Sequence, residues 1–273
     1  MGARLAWRVP RLEFSGTPLR EALALIREHQ PVRVPRTQSW ADLTITRTIN
    51  WGAMARFWML DTRQFRDVQV CADVPLKECA PWTDPKRGLL GAPQEKWLVD
   101  GLGASKSHWQ VLANQVMLAP YDSAPGDEVR TSMDQWSGYP VARDRLLNEV
   151  AKRAPNRTVT ITGDIHSNWV NELHTDFSRP DKPTIGAEFV CTSISSGGDG
   201  SDVPPQRMAA MQGDNPHLKW FENRRGYVRC RVTEQDWIAE YRSVPYVTKP
   251  GAPVHTASGW KVEHGRPGLH KTQ

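Results

Sequence analysis

The segment Thr158–Thr162 (TVTIT) limits the possible folds of this chain more than any other. Every residue in it is β-branched, which stiffens the side chain at χ1 and favours a pleated strand over a helix. It stops at Gly163-Asp164, and residues 143–153 just upstream read as a helix. Leu146, Leu147 and Val150 make the apolar stripe of that helix, and Lys152-Arg153 suit the negative end of its dipole. The same alternation runs along the chain and predicts an α/β fold without internal repeats.

Residues 55–60 read as a buried strand ending at Asp61, residues 93–102 as a helix burying Trp97, Leu98 and Leu102, and residues 109–118 as the next strand. A short apolar run at 188–192 is a further strand. Residues 227–232 and 237–244 form a hairpin across Glu234-Gln235, with Val228, Cys230 and Val232 alternating with Arg229 and Arg231 so that one face is buried. Between 67 and 91, Pro75, Pro81 and Pro85 predict a long irregular loop. Cys71 and Cys79 flank part of it and are read either as a bridge, in an oxidising compartment, or as two free thiols. Thr17-Pro18 opens a helix that Pro31 ends. The expected organisation is a helix and linker over 1–38, a main domain over 39–248 and a loose tail over 249–273.

Composition narrows the function classes. Hydrophobic residues make up 39% of the 273 and charged residues 24%, ordinary values for a globular chain. No run of about 18 apolar residues occurs, so no membrane partner is expected. A net charge of +5 is scattered along the chain and does not point to nucleic acid. Arg4 and Arg8 are followed by no apolar stretch, so no signal peptide is read and the chain as given is expected to be cytoplasmic. Twelve tryptophans are many for this length, and each packs best where its N–H finds a partner.

The candidate chemistry lies where strands end. Asp164 and His166, two residues apart after the 158–162 strand, can reach one point and suit a metal held by oxygen and nitrogen together. Gly163 would allow the sharp exit, and Ser167 or Asn168 could orient a ligand. The plainer alternative makes Asp164 a helix cap and His166 a loop histidine. Asn215-Pro216-His217 offers another imidazole, and Arg63, after Asp61-Thr62, could fork onto a phosphate or pair locally with Asp61. Ser195-Ser196-Gly197-Gly198 reads as a mobile loop near the site, without the Lys-Ser/Thr of a P-loop. No G-x-S-x-G elbow occurs.

The run GDIHSNWVNEL (163–173) is similar to the strand-end signature of the alkaline phosphatase D family, a branch of the metallophosphoesterases. MLDTRQFRD (59–67), LLGAPQEKWLVDGL (89–102), WQVLANQVMLAP (109–120), DQWSGYPVARDRLL (134–147), EFVCTSISSGGDG (188–200) and the segments from Asn215 to Val232 resemble it in the same order, over roughly 22–247. The resemblance implies a two-sheet α/β sandwich with flanking helices and a dinuclear metal site. It also implies metal-dependent hydrolysis of phosphate mono- or diesters, with calcium and iron as the metals, in a periplasmic or extracellular setting. Asp164 and His166 match ligand positions, His217 less closely, and Arg63 would help hold the phosphoryl group, so Asp164, His166 and Arg63 are the expected catalytic residues. The family's earlier Asp-bearing strand ends have no counterpart before residue 40, and Ser137 stands where members usually place Asp. The chain therefore reads as the C-terminal part of such a hydrolase, lacking its N-terminal half. The alternative is a non-catalytic remnant that binds metal or serves as an interaction module. An exposed sheet edge would favour self-association.

Overall fold

The computed structural model describes residues 44–71, 76–124, 126–179 and 181–272. It divides into two units, Met1–Arg47 and Thr48–Gln273, and nearly all described residues belong to the second. The N-terminal helix and linker predicted over 1–38 lie outside the described residues.

Among the described residues eleven strands follow in order: β1 (Arg47–Trp51), β2 (Ala55–Met59), β3 (Trp109–Ala113), β4 (Thr158–Thr162), β5 (Asn168–Leu173), β6 (Gly186–Val190), β7 (Gly200–Ser201), β8 (Leu218–Val232), β9 (Asp236–Val244), β10 (His255–Glu263) and β11 (His270–Lys271). Three helices, α1 (Ala92–Ala104), α2 (Pro140–Arg153) and α3 (Pro205–Asp214), lie between them. The sheet order is β1-β2-β3-β4-β6-β5-β8-β9-β10-β11, with β7 beside β8. Strands β2, β3, β4 and β6 are parallel, so their C-terminal ends share one edge. From β5 onward every pairing is antiparallel.

Every residue of β3 and β6 is buried, as parallel strands covered on both faces require. On one face, Trp58 and Leu112 meet Leu98 and Leu102 of α1 and Leu146, Leu147 and Val150 of α2. Each buried leucine there contributes roughly 1.5–3 kcal/mol. On the other face, Trp109, Val111, Val159 and Phe189 pack against Trp237, Tyr241 and Trp260 of β9 and β10. This second core makes the molecule a sandwich. Strand β8 joins its two layers: residues up to Glu222 pair with β5, and residues from Arg225 pair with β9. The change comes at Gly226, where an added Cβ would stand 2.0 Å from the Arg242 carbonyl oxygen, so only glycine lets the two backbones approach. Four buried tryptophans find acceptors, the indole N–H groups of Trp58, Trp109, Trp169 and Trp260 donating to Gln110, Thr233, Ser167 and Ser258, while that of the buried Trp237 has none among the described residues.

Several expectations are corrected. The supposed loose tail contains β10, which pairs with β9 from end to end, and β11. The predicted 109–118 strand stops at Ala113, because the Asn114 side chain turns the chain by donating to the Val116 carbonyl at 2.6 Å. The 227–232 strand is the second part of the longer β8, and Cys230, expected on its buried face, is exposed. Cys71 and Cys79 form a disulfide, with Cα atoms 5.8 Å apart.

Candidate functional site

Above the shared edge of the parallel strands, three loops bring charged side chains together. The first follows β2. Asp61 is almost completely buried, and its carboxylate accepts the backbone N–H groups of Arg63 and Gln64 at 2.9 and 3.0 Å. Thr62 is tied to Gln115, beyond β3, through its N–H and hydroxyl. This local turn aims Arg63 away from Asp61, so the local Asp61–Arg63 pairing that the sequence allowed does not form.

Arg63 instead spans two distant carboxylates. Its Nη1 lies 2.8 Å from both Asp134 oxygens, and its Nη2 lies 3.1 Å from Asp164 Oδ1. Arg66 and Gln69 also donate to Asp134. The two described ends of the irregular loop are braced to deliver them: Arg87 donates to the Val68 and Gly138 carbonyls, and Tyr139 donates to the Asp67 carbonyl. Burial opposes the charge on Asp134, but Arg63 and Arg66 outweigh it and hold its pKa below the usual carboxylate range. Burial likewise opposes the charge on Arg63, and Asp134 and Asp164 more than offset it, so its pKa is raised. All three side chains are slightly more than a third exposed and open to a solute.

Asp164 follows β4. Its second oxygen accepts Gln135 Nε2 at 3.0 Å, while Gln135 Oε1 accepts the Met117 N–H. The turn is not made by Gly163, as predicted, but by left-handed conformations at Asp164 (φ 72°) and His166 (φ 57°). Asp and His visit this region more readily than most residues. A strand, β5, comes next, so Asp164 caps no helix. His166 is exposed, and its carbonyl is held by Arg225. Ser167 and Asn168 are buried: Ser167 accepts the Trp169 indole, and Asn168 bridges Glu222 and the Thr192 N–H.

His217 does not belong to this cluster. Its carbonyl accepts the Glu172 N–H, near the end of β5 remote from Asn168, which is roughly 14 Å of strand away. Its ring lies edge-on to Phe177, and Nε2 is 2.8 Å from the Pro120 carbonyl. It is a core histidine. The Ser195–Gly198 segment, expected to be mobile, is anchored: the Ser196 carbonyl accepts Arg225 at 3.0 Å and the Ser193 hydroxyl at 2.7 Å.

Beneath the site, Glu188 is fully buried on β6. Its carboxylate accepts the N–H groups of Leu118 and Ala119, the Thr162 hydroxyl and the Asn171 amide. Burial pushes its pKa up, and these four donors oppose the rise. The clamp fixes the chain after β3 that leads to Asp134 and Gln135. A separate cleft of about 550 Å³, lined by His108, Asp236, Lys261, Glu263 and His264, lies at the opposite strand ends. Its charges are largely paired with one another, Lys261 with Asp236 and Glu263.

The sequence reading missed Asp134, Gln135, Arg66, Gln69 and Arg225. None carries a local signal beyond its own polarity, because each acts through partners tens of residues away. A two-metal centre was implied as well. Among the described residues no group of three or more His, Cys, Asp or Glu side chains converges to hold a metal ion. Asp164 and His166 offer two donors, and hard cations take about six or more between protein and water. The described residues therefore do not by themselves fit a metal pair.

The model of the PhoD-like phosphatase family matches residues 18–241. The chain is 40% identical over 244 residues to alkaline phosphatase D of Bacillus subtilis (strain 168), an alignment covering 89% of this chain and 42% of that protein. A solved structure of PhoD superposes with a TM-score of 0.83 at 39% identity, covering 90% of this chain and 47% of that one. The chain thus spans less than half the length of either relative.

Proposed function

Because the chain belongs to the PhoD-like phosphatase family, we propose that its strand-end cluster is the phosphate-binding part of a phosphoester hydrolase acting on monoesters or diesters. The observation that carries this reading is Arg63, held rigidly between Asp134 and Asp164 yet more than a third exposed. A guanidinium fixed at two points loses little further freedom on binding, and its remaining N–H groups match the spacing of phosphoryl oxygens. Arg66 adds a second positive charge beside it.

Metal ions supply Lewis-acid chemistry in hydrolases of this kind. Asp164 and His166 are the residues here that would contribute donors, with calcium and iron as the metals to test. The other ligands would come from outside the described residues or from a second polypeptide. Support for an oxidising setting, periplasmic or extracellular, comes from the Cys71–Cys79 disulfide. Support for self-association comes from β1, the terminal strand of the sheet among the described residues.

The test is hydrolysis of p-nitrophenyl phosphate and its bis-ester by the purified chain, loaded with calcium and iron. Turnover that Arg63→Ala reduces about 100-fold supports the reading. Absence of both turnover and bound metal would instead favour a non-catalytic interaction module.

A further inference from the structure

Arg225 is 2% exposed, yet among the described residues no carboxylate pairs with it. The nearby Glu222 favours its charge from a distance, but the Asn168 amide and the Ser243 hydroxyl both donate to Glu222 Oε2. All the hydrogen-bond acceptors of Arg225 are neutral. Nη1 donates to the His166 carbonyl, the Ser193 hydroxyl and the Ser196 carbonyl, while Nη2 donates to the carbonyl and side chain of Asn223. Its buried Nε has no hydrogen-bond partner among the described residues.

A desolvated cation with no carboxylate in direct contact is costly, and an apolar side chain of similar size would commonly serve stability as well or better. What an apolar residue cannot do is grip two loops with one planar fork. One loop carries His166 in the left-handed conformation, and the other runs from Ser193 to Gly198, where Gly197 and Gly198 also have positive φ. Holding the His166 carbonyl fixes the peptide plane beside its Cα and so limits where its imidazole can point. The position of Arg225 on β8, beside the crossing at Gly226, makes this anchor as rigid as the sandwich itself.

We propose that Arg225 is a positioning residue: it acts through the His166 carbonyl and the Ser193–Ser196 loop to hold the strand-end site in its working geometry. This deepens the phosphoester hydrolase reading and rests on it for the kinetic effect alone. The two parts of the test are independent. In the full chain, Arg225→Lys and Arg225→Met are compared with the unchanged protein by amide hydrogen exchange and by p-nitrophenyl phosphate kinetics. Exchange over 163–168 and 193–198 should quicken about tenfold in both variants, with 236–244 and 255–263 unaffected. Turnover should fall about 10–100-fold in kcat with little change in KM, as for other residues that orient catalytic groups. Ser193→Ala, a milder variant, should quicken exchange over 193–198 alone.

The proposal is overturned if those two segments exchange as before, or if all segments quicken together as in general destabilisation. It is also overturned if Arg225→Lys restores both readouts, since charge without the fork would then suffice. If the unchanged protein shows no turnover, the hydrolase reading fails, and the exchange pattern alone decides whether Arg225 positions these loops.

Discussion

His217 donates its Nε2–H to the Pro120 carbonyl, and burial, the largest influence, lowers its pKa from 6.5 to about 4. The unfolded chain therefore takes up this proton first as pH falls. Stability is full above about pH 6.5 and declines towards pH 4, by up to roughly 3 kcal/mol. His174, also lowered chiefly by burial, acts in the same direction. Urea midpoints measured from pH 7 to 4.5 should fall, and His217→Gln, which keeps a donor for Pro120, should flatten most of the slope. An equally steep slope in the variant would contradict this. Glu188 offers a second test. Replacing it by Gln turns an –NH2 group towards two of its four donors, and unfolding free energy should drop by about 2–4 kcal/mol in a urea titration.

At the scale of elements, α1 is shaped by a single glycine. A Cβ on Gly101 would stand 2.3 Å from the Trp58 ring. Gly101→Ala should thus lose about 1–3 kcal/mol by overpacking, against a helix-propensity gain of about 1 kcal/mol; a raised thermal midpoint would refute it. Helices with clear apolar stripes, α1 and α2, were legible in the sequence. Helix α3 was not, since among its residues only Met211 is buried. Strand β5 (NWVNEL) was hidden because its asparagines resemble loop residues, yet Asn168 and Asn171 are buried and bonded to Glu222 and Glu188. Strand β10 was masked by the adjoining Ser258 and Gly259, both buried within it, between flanking proline and glycine residues.

At the scale of the whole molecule, Ile49 and Trp51 of β1 are 43% and 72% exposed on the terminal strand of the sheet among the described residues. Such an edge templates pairing with another chain, and charge on it opposes that pairing. Light scattering should find the chain self-associated, with Ile49→Lys shifting it towards monomer; a monodisperse unchanged protein would contradict this. What the amino-acid order determined alone was local: β-branched runs, helix stripes and the strand-end motif, because period and turn chemistry act over a few residues. Which charges meet was decided by tertiary structure. Arg63 reaches Asp134 and Asp164 across 71 and 101 residues, and His217 is carried away from His166 along β5. Those outcomes depend on strand order and register, which no local pattern encodes.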